Sequence, residues 1–466
     1  MQMLKHFDTY SGRTPYFFAE RNRLRRSGPV CMKLPDIGRF GRRFAVILSG
    51  ELIQSLFHFV LNIVLVRELG AHGYGLFAIV FTIGAVGVTY IRALVGVPAT
   101  LFLSRSLGRP AERGHDMVFG SGATAVALLM ASAVSVGLAP VVGVTALAGG
   151  AFVGLYAFRS YLRIVLLARQ KPWVAGASDI VYAACGLGLV AFLHSNDEAL
   201  LEHAFLGIAG AHAMGIAVAL AAVGRPIRVS FRASVRRRYA GIWRPLAWSL
   251  LGVTGTTVQG QGLTLLFAVL DGPAAYAPIA ATLVLFAPLR IPTNALNNMV
   301  LPEISALLAA GRRREARRLV LRSTALIGLA CFAYGAAMWA ALPIIESHLF
   351  KGRFSHEPMA GIGFGVWCVV TIALLYAIPR AFLEASAAFR VIAAGALISA
   401  VVGFLIMVPL LLTMAPPFAL IGLAVSECVT ALWSAQAFRD RSRHPDGRAR
   451  MAAHRVVATA APPAGA

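Results

Sequence analysis

The sequence predicts an all-α, polytopic membrane protein: about twelve transmembrane helices in two pseudo-twofold six-helix lobes around a central cavity. Three observations carry that expectation. Of 466 residues, 58% are hydrophobic and 14% charged, with mean hydropathy +0.72; soluble domains run about 45–50% apolar and about 25% charged. The apolar residues gather into about twelve runs, each near the ~20 residues that hydrocarbon demands. Lysine and arginine crowd into alternate connections between those runs, as they do when one side of a membrane protein stays in the cytoplasm.

In chain order, residues 1–43 form a basic tail rich in breakers, without the apolar core and cleavage site of a secretory signal. Met32-Lys33-Leu34-Pro35 offers a second start, so residues 1–31 read equally as a cytosolic tail or as untranslated. The apolar runs are Phe44–Val66, Tyr74–Pro98, Met117–Leu138, Val144–Ala168, Val174–Leu193, Ala204–Val223, Pro245–Leu270, Tyr276–Val300, Leu319–Ile345, Met359–Ile378, Val391–Leu411 and Phe418–Ala437. Arg159, Arg163 and Asp179 interrupt the ends of the fourth and fifth. The expected domains are a first lobe over 44–224, a basic linker over 225–244, a second lobe over 245–437 and a tail over 438–466.

Of the 43 lysines and arginines, about 36 lie in the tails and even-numbered connections, about 4 within spans and about 3 (Arg67, Lys351, Arg353) in odd-numbered connections. Both termini are therefore expected in the cytoplasm. The same placement explains the net charge of +23 as a topology signal at an anionic leaflet and argues against nucleic acid as a partner. Five cysteines at unpaired spacings predict neither a disulfide framework nor a metal site.

The two halves echo each other. Tyr74 opens span two, which ends at Val97-Pro98, before Ser104–Glu112 (SRSLGRPAE). Tyr276 opens span eight, which ends at Leu301-Pro302, before Leu307–Glu315 (LLAAGRRRE). Six spans per repeat is an even number, so both halves enter the bilayer in the same sense and a pseudo-twofold axis runs along its normal.

The segment RELGAHGYGLFAIV resembles the R-x-L-G-x-x-x-[YF]-G turn of polysaccharide flippases, and LPEISALLAAGRRREARRLV resembles their P-x-[ILAS]-[SA] signature after span eight. These belong to the polysaccharide and O-antigen transporter branch of the multidrug/oligosaccharidyl-lipid/polysaccharide (MOP) exporter superfamily. The resemblance implies a flippase for undecaprenyl-pyrophosphate-linked oligosaccharide in the bacterial inner membrane, serving surface polysaccharide biosynthesis. It implies no cofactor, a monomer among membrane lipids, and a polysaccharide polymerase and glycosyltransferases as working partners.

No Walker loop, Gly-x-Ser-x-Gly or His-Glu-x-x-His is present, so no enzyme is expected. A multiply anionic headgroup must still cross a region of low dielectric, and arginine's planar fork suits phosphate. Arg92, Arg159, Arg163 and Arg290 lie within spans. Arg290 is flanked by Pro288 and Pro292, which predict an interrupted helix at membrane depth. Arg159 and Arg163 share a helical face; Arg92 and Arg163 also lie near enough to the cytoplasmic interface to snorkel. In span one Glu51, Gln54, Ser55, His58 and Asn62 form a polar stripe. Asn294 and Asn298 follow Arg290 on span eight, while Gln259 and Gln261 sit in span seven. These groups read either as sugar-facing wall or as interhelical hydrogen bonding. Glu427 and Asp179 are the candidates for ion coupling, or for pairing with an arginine. The alternative functions are an ion-coupled multidrug-and-toxin antiporter of the same superfamily and a non-transporting scaffold of a polysaccharide synthase.

Overall fold

The computed structural model describes residues 37–443, apart from 97, 101–102, 104–109, 144, 170, 196–198, 224–228, 310 and 387. The chain divides into a short unit, Met1–Ala45, of which only the helical residues 37–45 are described, and the unit Val46–Ala466, which carries everything below. The described residues contain α-helices, π turns and 3-10 turns but no strand.

The first half holds α1 (Ile37–Glu68), α2 (Ala71–Ile91), α3 (Pro110–Val142), α4 (Thr145–Ala168), α5 (Pro172–Ser195) and α6 (Leu200–Val223). Proline at the first position of α3 and α5 starts those helices where its missing N–H costs nothing. Gly143, at φ +57°, makes the tight corner between α3 and α4. The fourth and fifth spans are unbroken helices despite their charges, for a reason found in the site below.

The second half is less regular. Span seven joins α7 (Ala233–Thr257), a π turn (Val258–Gly262) and α8 (Leu263–Leu270). Span eight joins α9 (Gly272–Leu285), a 3-10 turn (Ala287–Leu289) and α10 (Arg290–Ala309), bent by 42° at the break. The prolines flanking Arg290 thus interrupt the helix as the sequence suggests. Then come α11 (Arg313–Ile344), α12 (Met359–Leu375), α13 (Ala377–Ala385), α14 (Phe389–Thr413) and α15 (Ala419–Arg443). Among the described residues 10 helices qualify by length and apolarity as membrane spans, and the bent pair makes up to 11. The remaining expected span is the π-interrupted α7–α8. It begins within the stretch expected as linker, because Ala233–Arg244 is already helical.

In the first half α4 packs on α2, α3 and α6, and α6 on α5; in the second α15 packs on α12 and α14, and α14 on α7. Lipid is as apolar as leucine, so close packing rather than water exclusion holds such helices together. Small residues permit it: a Cβ on Gly150 would lie 2.0 Å from Ser135 Oγ, and one on Gly154 3.0 Å from the Ala127 carbonyl oxygen. The halves meet along α2 and α9. Gly75 lies so close to the backbone of Pro273 that a Cβ would sit 1.8 Å from its carbonyl oxygen. Beside that contact Tyr74 and Tyr276 are both buried.

Candidate functional site

Two polar clusters occupy the interior of the spans, one in each half, and a clasp joins the halves at the end poor in basic residues.

The first cluster is built on α4. Tyr156, Arg159 and Arg163 recur at helical spacing on the face that meets α1, α5 and α6. Arg159 is 4% exposed. It donates to Asp179 Oδ1 of α5 at 2.5 Å and to Gln54 Oε1 of α1 at 3.0 Å. Its guanidinium carbon also lies 4.1 Å from the ring centroid of Tyr182, a cation–π contact. Arg163, half-buried, donates to Asp179 Oδ2 at 3.1 Å and to Glu51 Oε1 at 3.3 Å. Two carboxylates therefore face two guanidiniums, and the charges that interrupt spans four and five neutralise each other. Such an arrangement satisfies the demand that intramembrane charge be paired. Glycines on the flanking helices make the room. A Cβ on Gly50 would lie 2.5 Å from Asp179 Oδ2, and one on Gly215 2.7 Å from Arg159 Nε.

A relay of aromatic and polar groups continues from this pair. His58 Nε2 and the Tyr182 hydroxyl are 2.6 Å apart. The Asn62 amide donates to the His58 carbonyl at 2.8 Å, and Tyr74 donates to Asn62 Oδ1 at 3.2 Å. His212 of α6 stacks on Tyr182 and Tyr156, with centroids 4.4 and 4.9 Å away. His212 is fully buried, and neither of its ring nitrogens has a hydrogen-bond partner among the described residues.

The polar stripe of span one thus turns toward its own half. Asn62 is buried, and both ends of its amide are engaged. Glu51 and His58 keep partial exposure beside half-buried Tyr156 and Arg163. Asp179, one of the two ion-coupling candidates, is the partner of both arginines.

The second cluster surrounds the break in span eight. Arg290, the first residue of α10, is exposed, as are Pro292 and Asn294 after it. It lies within electrostatic range of Glu427 of α15, Tyr276 of α9 and Tyr376 at the end of α12. Glu427 is 4% exposed and accepts a 2.9 Å hydrogen bond from the Tyr376 hydroxyl. Gln259, in the π turn of span seven, is buried beside Glu427 and Tyr376. Asn297 has a buried Oδ1 with no partner among the described residues. The side chain of Asn298 lies outside the described residues.

Arg92 belongs to neither cluster. It is exposed, opens the π turn Arg92–Gly96, and extends a stripe with Thr82, Ala85 and Thr89 at steps of three, four and three. The Thr82 hydroxyl lies 3.4 Å from that of Tyr276, so this stripe turns toward the second half.

The clasp involves the Arg67-Glu68-Leu69-Gly70 turn. Arg67 donates to the carbonyls of His348 and Leu349 at 2.7 and 2.8 Å. Arg353 in turn donates to the Arg67 carbonyl at 2.8 Å, and Lys351 lies 3.5 Å from Glu68. The three basic residues on the poorly charged side are thereby gathered at one junction. Sequence reasoning missed this role, although their scarcity there was a usable signal. It also missed His212, Tyr182 and Tyr376, which carry no pattern of their own.

No protein-family model and no curated protein sequence matches the chain. Solved structures do. An inward-facing conformation of a multidrug resistance MATE family transporter of the MOP superfamily has TM-score 0.66 at 12% identity, over 86% of this chain and 98% of that one. An outward-facing conformation of such a transporter has TM-score 0.55 at 13% identity, over 86% and 94%. A MOP superfamily transporter from Pyrococcus furiosus Vc1, noted for the reverse polarity of its binding pocket, has TM-score 0.53 at 13% identity, over 86% and 95%. Identities this low show likeness of fold, and the chain has the fold of the MATE transporters of the MOP superfamily.

Proposed function

We propose that the chain is a flippase. It carries undecaprenyl-pyrophosphate-linked oligosaccharide across the bacterial inner membrane by alternating access, with both termini in the cytoplasm. The observation that carries this reading is Arg290: an arginine inside a broken span, exposed as a residue and followed one turn on by exposed Asn294. Placing an arginine at the centre of a span costs about 2.5–3.5 kcal/mol on insertion scales. Proline-broken backbone at that depth is tolerated where it lines protein or water. A pyrophosphate gives such a cation a bidentate partner, while asparagines answer sugar hydroxyls.

In this reading Arg290 takes the pyrophosphate, Asn294 and Asn298 take sugar, and exposed Arg92 receives the incoming headgroup. Arg163, Glu51 and His58 offer a second, half-exposed surface in the first half. Arg159 and Asn62, already engaged, hold that surface in place. Glu427 and Asp179 are the groups for ion coupling. The clasp at Arg67 shuts the end poor in basic residues, and its release is one half of the transport cycle. The expected partners are a polysaccharide polymerase and glycosyltransferases, with the transporter itself a monomer.

The test is Arg290→Ala in a strain lacking its own transporter, with surface polysaccharide as the readout. Loss of polysaccharide at normal protein level, with partial recovery in Arg290→Lys, is the expected result; undiminished export removes Arg290 from the mechanism. A second reading, ion-coupled antiport of multidrug-and-toxin type, draws on Glu427, a buried acid bonded to a tyrosine. Dye efflux driven by a sodium or proton gradient in vesicles, without headgroup transfer, would favour it.

A further inference from the structure

One helix of the second half carries charges that neither cluster uses. The apolar run of span ten ends at Ile378, which puts Arg380 in the connection after it. In the structure the helical stretch that qualifies as a span is Met359–Ala385, with a turn at Tyr376 between α12 and α13. Arg380 and Glu384 therefore lie inside the span. α13 packs on α10, α11, α12, α14 and α15. Its Ile378, Pro379, Ala381, Phe382 and Leu383 are buried, and none of its residues is exposed. Apart from its last residue, Ala385, what stays partly open is Ala377, Arg380 and Glu384, which follow at steps of three and four along one helical face. Charges within a span face a bundle interior or a watery space rather than lipid.

Arg380 is only partly engaged. Its Nε donates to Glu384 Oε1 at 3.2 Å, one turn on, and its side chain is 28% exposed. Its two terminal nitrogens have no hydrogen bond among the described residues. Arg290 opens α10, the helix against which α13 packs, and it too has no hydrogen bond among the described residues. Both arginines lie within electrostatic range of buried Glu427. The first cluster is built differently. There two carboxylates occupy both guanidiniums. Here Glu427 accepts from Tyr376, and Glu384 takes one nitrogen of Arg380, so two guanidinium forks keep donors to offer.

A diphosphate answers two such forks at once, because each of its adjoining phosphoryl groups has oxygens for a bidentate bond. The contact between Arg380 and Glu384 is no obstacle: a partly hydrated i,i+4 pair is worth under about 1 kcal/mol and yields to a more highly charged acceptor.

We propose that Arg380 is a second phosphate-binding residue: the pyrophosphate of the carried lipid is gripped between Arg290 and Arg380, one guanidinium to each phosphoryl group, while Glu384 holds the Arg380 fork when the site is empty. The inference rests on the flippase reading and adds a selectivity to it. A bulk phospholipid brings a single phosphodiester and satisfies one fork, whereas the diphosphate satisfies both.

The experiment titrates undecaprenyl pyrophosphate, undecaprenyl phosphate and inorganic pyrophosphate onto the full-length, detergent-purified protein, with binding read by native mass spectrometry and folding checked by Tm. In Arg380→Ala, affinity for undecaprenyl pyrophosphate should fall about ten-fold or more, and affinity for undecaprenyl phosphate by about two-fold at most. Arg380→Lys keeps the charge without the fork and should recover part of the loss. Should Arg380→Ala fail to fold, the smaller preference of Arg380→Lys for diphosphate over monophosphate carries the test. Glu384→Gln releases the fork, so diphosphate should bind as tightly as in the parent or about two-fold more tightly. Equal weakening of both lipids in Arg380→Ala and Glu384→Gln would show an internal ion pair only and overturn the inference. Parental affinity for undecaprenyl pyrophosphate in Arg380→Ala would overturn it as well, and if Arg290→Ala still abolishes that binding, the flippase reading survives the loss. Inorganic pyrophosphate bound through Arg380, with neither undecaprenyl lipid bound, would sink the cargo reading beneath it.

Discussion

Asp179→Asn preserves size and removes one charge, which makes it a clean probe of the first cluster. Asp179 is 1% exposed and holds Arg159 at 2.5 Å and Arg163 at 3.1 Å. Removing one partner of a buried ion pair costs about 3–5 kcal/mol. The two arginines share that cost unequally. Arg163 keeps Glu51 at 3.3 Å and has 22% side-chain exposure, so its part is within about 1 kcal/mol. Arg159 keeps the Gln54 oxygen and the Tyr182 ring, the latter worth about 2 kcal/mol when desolvated. A net loss of about 3 kcal/mol follows, which corresponds to a fall of about 5 °C or more in the Tm of the detergent-purified protein. The double variant Asp179→Leu with Arg159→Met should recover most of it, because apolar residues replace a buried pair at little cost. Thermal unfolding followed by size-exclusion fluorescence reads both. A single variant as stable as the parent, or a double variant less stable than either single one, would refute the reasoning.

Three further predictions concern the other features. Arg67→Ala removes two donors to the carbonyls of His348 and Leu349; at about 1 kcal/mol each in this partly hydrated place, the closed state should lose about 10- to 30-fold in population. A cysteine at Thr82, in a background without Cys31, Cys185, Cys331, Cys368 and Cys428, should then react faster with an impermeant maleimide from the clasp side, and an unchanged rate would remove the gating role. Glu427→Gln keeps the contact with Tyr376 but loses the charge; cargo binding should persist while transport in vesicles stops responding to an imposed ion gradient, and an unaltered response would exclude Glu427 from coupling. Gly215→Ala and Gly50→Ala should each lower Tm by several times more than Gly188→Ala, whose Cβ meets nothing within 4 Å; equal effects would show that the room beside Arg159 and Asp179 is not needed.

Hydropathy and charge placement make the spans legible because both are local. A helix in lipid must satisfy its own backbone within ~20 residues, and that requirement is written into consecutive side chains. The break at Arg290 was equally visible, since proline removes a donor wherever it stands. Tyr74 and Tyr276, which echo each other in the sequence, are both buried. The identity of each partner was not legible. Spacing placed Arg159 and Arg163 on one face and left Asp179 open between ion coupling and an arginine; it could not say that Asp179 binds both, or that Gly50 and Gly215 leave the space.

By itself, then, the sequence determined a helical membrane protein, the order of its apolar spans and the few residues whose polarity is costly in lipid. Only the tertiary structure decided which of those residues neutralise one another, which stay exposed at Arg290 and Asn294, and that Arg67 closes onto a loop 281 and 282 positions away. The reason is one of range. Transfer free energy and helix periodicity act within a single segment, whereas hydrogen bonds and ion pairs depend on distances of about 3 Å between segments whose separation along the chain has no bearing on their approach in space.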